Sequence, residues 1–73
     1  MNADAIREAL KRQPFEPFEI IMSSGERHVV KHPEFLMLTP SRAVLVDPIT
    51  DRLAVLSLMH ITELRATQPQ PSS

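Results

Sequence analysis

Phe18-Glu19-Ile20-Ile21-Met22-Ser23-Ser24-Gly25-Glu26-Arg27-His28-Val29-Val30-Lys31 decides how this chain folds. Phe18, Ile20 and Met22 alternate with Glu19, Ile21 and Ser23, which sets one mostly apolar face on a strand. A second strand is expected from Glu26 to about Lys31. It carries Arg27, His28 and Lys31 between valines, so one of its sides meets water. Ser24-Gly25 between them reads as a tight turn. Gly25 is the only glycine in the chain, and it falls where such a turn needs a positive φ.

Upstream, the sequence predicts a helix over 3–13. Asn2 or Asp4 can cap it, and Asp4 suits the positive end of the helix dipole as Lys11 and Arg12 suit the other. Ala3, Ile6 and Leu10 form a thin apolar stripe at helical spacing. Pro14 stops the helix, because the residue before a proline is pushed out of the helical region. A helix this short is marginal in water and must pack on something. Pro14-Phe15-Glu16-Pro17-Phe18 is a stiff connector whose two phenylalanines anchor the helix to a sheet.

Downstream, His32-Pro33-Glu34 breaks the second strand, since proline cannot donate to a ladder. Phe35-Leu36-Met37-Leu38 is a continuous apolar run, expected to be buried on both faces. Thr39-Pro40-Ser41-Arg42 is a turn with proline at its second position. Ala43–Val46 and Leu53–Ser57 read as strands on either side of the polar loop Asp47–Arg52. Leu58-Met59-His60 reads as a bend or one turn of tight helix, and Ile61–Arg65 as the last strand. Met22, Met37 and Met59 read as core filler. The result is a single small domain, 1–65, with its helix at 3–13 and its strands within 18–65. The Pro-, Gln- and Ser-rich tail 66–73 is expected to be disordered. The predicted fold is mainly β: a small, strongly bent antiparallel sheet or barrel with one N-terminal α-helix.

Composition narrows the class. With 73 residues and no cysteine, the chain has a marginal core and no disulfide or thiolate metal site to reinforce it. Self-association into a homo-oligomer is therefore expected. Eight basic and nine acidic residues leave a net charge of -1, without the basic excess of a protein built to grip a nucleic acid backbone. No apolar run is long enough to span a membrane, and no signal-peptide core opens the chain, so a cytoplasmic protein is expected.

The chemistry-bearing residues do not converge. His28 and His32 are four residues apart, which on a strand is roughly 13 Å and too far for one zinc ion. The carboxylates are scattered, no serine sits in a Gly-x-Ser-x-Gly turn, and a single glycine cannot build a phosphate-cradling loop. An enzyme, a cofactor and a small-molecule substrate are not expected. Arg7 and Lys11 lie four apart on one side of the helix, where they form either a solvated face or a phosphate contact that identical subunits would multiply. His60 stands at a bend in an apolar context, where a hydrogen bond to a backbone carbonyl is the plain structural account.

The order of elements resembles the Sm-like fold and its bacterial version, the RNA chaperone Hfq. The quoted features are the short helix, the hairpin at Ser24-Gly25 in place of the family's Asn-Gly, and Met59-His60-Ile61 where the family has a Lys-His pair before the last strand. The resemblance spans about 3–65. It implies an RNA-binding homo-oligomer in which His60 touches a base while Arg7 and Lys11 contact phosphates. The chain departs from the pattern at Met59 and at Val29-Val30-Lys31-His32-Pro33, where the family carries a glycine and an acidic residue. In its letters the chain is also similar to small bacterial proteins with Gln-Pro-Phe-x-Pro-Phe, His-Pro-Glu and Leu-x-His-Ile-Thr motifs, matched at 13–18, 32–34 and 58–62; that match implies no activity. An SH3-like barrel fits the same pattern. The alternative to RNA binding is therefore a protein-binding or scaffold barrel with no nucleic-acid role.

Overall fold

A computed structural model describes residues 1–67. The chain is mainly β, with one N-terminal helix and two small antiparallel sheets of three strands each. Helix α1 (Ala3–Lys11) begins at Asn2, whose side chain accepts from the Asp4 N–H at 2.7 Å. It ends two residues earlier than expected: Arg12 is already extended, because the chain must turn away before the restriction imposed by Pro14. Of its apolar stripe, Ile6 is fully buried, while Ala3 and Leu10 pack at the margin of the core.

Strands β1 (Phe18–Met22) and β2 (Arg27–Val30) form the expected hairpin, with Ile20 opposite His28. The turn closes through Gly25 N–H to the Met22 carbonyl at 2.9 Å and Met22 N–H to the Glu26 carbonyl at 2.8 Å. Gly25 has φ +94°, and open space surrounds its Cα. Strand β6 (Ile61–Ala66) returns to the other side of β1. The register shifts at Ile21/Met22, and there the Thr62 hydroxyl donates to the Ile21 carbonyl at 3.1 Å.

After β2 the chain passes a 3₁₀ turn, Pro33–Phe35, and enters a second sheet of β3 (Leu36–Leu38), β4 (Arg42–Asp47) and β5 (Arg52–Ser57), in that order. A second 3₁₀ turn, Leu58–His60, leads back to β6. The core is Ile6, Phe18, Ile20, Met22, Val30, Leu36, Ala43, Leu56, Leu58 and Ile61, with no buried polar or charged residue among them. Phe15 packs edge-on against Phe18, ring centres 6.1 Å apart, so the connector anchors as its sequence suggests.

Three expectations are corrected here. The run 35–38 is not buried on both faces, because Phe35 belongs to the 3₁₀ turn and Met37 is 63% exposed. Met59, 80% exposed, is not core filler either; only Met22 of the three is buried. The first two residues of the expected tail are also placed: Ala66 lies in β6, and the Thr67 hydroxyl donates to the Pro17 carbonyl at 3.0 Å. The rest of the expected tail, 68–73, lies outside the described residues.

Two substitutions check this account. Ile6→Ala should cost about 2–5 kcal/mol against a total stability of roughly 5–15 kcal/mol, read as a large fall in urea midpoint. Gly25→Ala should cost about 1–2 kcal/mol through backbone strain alone, with an unchanged denaturant slope.

Candidate functional site

An open cleft of about 780 Å³ lies between β2 and the β4–β5 hairpin. Its position follows from the break at Pro33. The chain leaves the first sheet at the end of β2 and re-enters the second at β3, so β2 and the hairpin face each other without a ladder between them. Arg27 and Lys31 stand on the β2 wall and Arg52 on the hairpin wall, with Asp47 the only carboxylate in the lining. Leu45, Ile49, Leu53 and Phe35 supply apolar surface. His32 meets Phe35 edge-on, ring centres 5.0 Å apart. A cleft with three cations and one carboxylate stands out in a chain whose net charge is -1.

The hairpin wall is held by its own loop. Asp47 Oδ1 accepts from the Ile49 N–H at 3.0 Å and from the Thr50 N–H at 3.4 Å. These bonds, the Ile49 bond first, hold the Asp47 carboxyl below the ordinary aspartate range, with a small contribution from nearby Lys31. Asp51 completes the loop in the left-handed region, at φ 60°, which aspartate tolerates better than most residues. On the opposite wall, His28 is half-buried, and its Nε2 is fully covered without a hydrogen-bond partner. Arg27 reaches Glu19 at 3.6 Å. Among the described residues, Lys31 and Arg52 make no ion pair.

A second surface lies on the outer face of β3–β4–β5. The register places Met37 beside Val44 and Val44 beside Val55, and Val46 beside Leu53. The alternate residues Leu36, Ala43 and Leu56 point into the core, so these five share the outside. Leu53 is 64% and Val55 55% exposed.

The predicted site residues are dispersed. Arg7 is exposed and paired with Asp4 at 3.0 Å. Lys11 is exposed in the last turn of α1. His60 is exposed in the second 3₁₀ turn, where its carbonyl, and not its ring, is engaged, accepting from the Ser23 N–H at 2.7 Å. The expectation that the His60 ring is packed and bonded is therefore corrected. None of the three lines the large cleft. Met1 N donates to the Leu58 carbonyl at 2.8 Å, so the start of α1 adjoins the turn that holds His60. Lys11 lies roughly 12 Å farther along the helix axis from Ala3. Sequence reasoning missed the cleft because its cations come from segments some twenty residues apart; the signal available was the basic strand ending at a proline break.

Among the described residues no group of three or more His, Asp or Glu side chains could hold a metal ion, and no helix is long and apolar enough to cross a membrane. No family model, curated protein or solved structure matches the chain.

The loop geometry fixes a pH response. A carboxyl with a depressed folded-state pKa stabilises the fold above its unfolded value, and that contribution is lost as pH falls through the folded value. The Ile49 and Thr50 amide resonances should therefore titrate together with a midpoint below that of an unstructured aspartate. Asp47→Asn should abolish the titration.

Proposed function

We propose that the protein is a non-enzymatic interaction module that associates with copies of itself through the outer face of β3–β4–β5. The observation that carries this reading is the contiguous apolar surface of Met37, Val44, Val46, Leu53 and Val55 on one sheet face. Soluble monomers rarely leave a large apolar patch open to water. The small net charge offers little repulsion between copies, and a domain of this size gains most by burying a face against a second copy. The absence of cysteine agrees with a reducing compartment such as the cytoplasm.

A second reading is an Sm-like RNA-binding assembly. It is supported by the element order, by the exposed His60 before β6, and by Lys11, which makes no ion pair among the described residues. In that reading His60 meets a base, while Arg7 and Lys11 meet phosphates across several subunits.

Native mass spectrometry of the full chain, purified without nuclease, separates the two. Self-association predicts a discrete oligomer that Val55→Lys with Met37→Lys converts to monomer while the circular dichroism spectrum is retained. A monomer at every concentration overturns it. RNA binding predicts nucleic acid retained on the oligomer and lost in His60→Ala with Lys11→Ala.

A further inference from the structure

We propose that the cleft between β2 and the β4–β5 hairpin accepts, as an added strand, an extended peptide segment of a partner protein in which carboxylates alternate with aliphatic side chains. Three observations converge on that ligand class. First, among the described residues β2 is an edge strand, bonded only to β1. The Met22–Glu26 bond begins the ladder, and alternation along an antiparallel pair turns the N–H and C=O of His28 and Val30 toward β1 and those of Arg27 and Val29 outward. Second, consecutive residues Arg27, His28 and Val29 all line the cleft, as happens where a strand presents its edge rather than one face. The edge Arg27–Val30 spans roughly 13 Å, room for about four residues of an added strand.

Third, the charge is complementary to an acidic ligand. Lys31 and Arg52 stand on opposite walls, so a peptide lying along β2 passes between them, and Leu45, Leu53 and Phe35 receive its aliphatic side chains. A nucleic acid fits less well: the lining offers one aromatic residue other than histidine, Phe35, for base stacking, and Asp47 would face its phosphates. The site overlaps the proposed self-association face at Val46 and Leu53, while Met37, Val44 and Val55 do not line it.

The test is an NMR titration of the isotope-labelled full chain with a blocked heptapeptide alternating valine and glutamate. Saturable shifts are expected at the Arg27, Val29 and Lys31 amides. Lys31→Glu with Arg52→Glu, two exposed substitutions, should weaken binding about tenfold or more. A peptide with lysine for glutamate should not bind, and one N-methylated at alternate amides should lose binding because the strand hydrogen bonds are gone. The proposal is overturned if the amides stay unmoved at millimolar peptide, or if the lysine or N-methylated peptide binds as tightly. It is equally overturned if a uridine oligonucleotide binds the same amides more tightly than the peptide. Movement of those amides with protein concentration alone would assign the edge to a second copy and overturn it as well.

Discussion

Pro33 has no N–H to give to a ladder, and the architecture depends on that absence. Without it, residues 27–38 would read as one long strand. With it, the chain makes a single 3₁₀ turn and changes sheets. Ile20 and Val30 of the first sheet then meet Leu36, Ala43 and Leu56 of the second around a shared interior. The same break keeps β2 from running on into the second sheet and leaves the cleft open beside it.

The interior made this way is wholly apolar. Among the described residues it contains no buried ion pair or polar network to specify one arrangement over another. Specificity has to come from shape and from the ends of elements: the Asn2 cap, the Gly25 turn, the Asp47 loop and the bulge at Thr62. Helix α1 contributes one fully buried residue, Ile6. Leu58 sits nearby in the second 3₁₀ turn, so helix and turn together close one side of a small core.

Most of this is legible in the sequence. Period-two alternation, the five prolines between the helix and the last strand, and one well-placed glycine locate the helix, the hairpin and every later strand to within a residue or two. Side assignment was harder. Met37 and Met59 are apolar by type, yet Met37 follows Leu36 and precedes Leu38, so strand parity sends it outward once its neighbours point in. Residue type was weighed where position decided. The cleft was harder still, because Lys31 and Arg52 become neighbours only through the sheet change at Pro33, which no local window contains. Local spacing and resemblance single out Arg7, Lys11 and His60, and the fold spreads them along α1 and across the second 3₁₀ turn.

Two short sheets have four outermost strands among the described residues. The outermost strands carry guards: Arg27 on β2, Arg52 on β5, and Glu63 with Arg65 on β6, while β3 has only three residues. Charge and brevity at a border discourage indiscriminate stacking of one chain on the next. Their worth is measured against fibrils and precipitates rather than against the unfolded chain. Selection on these positions therefore acts through the crowded states the protein must avoid, and a tally of native-state contacts would miss it.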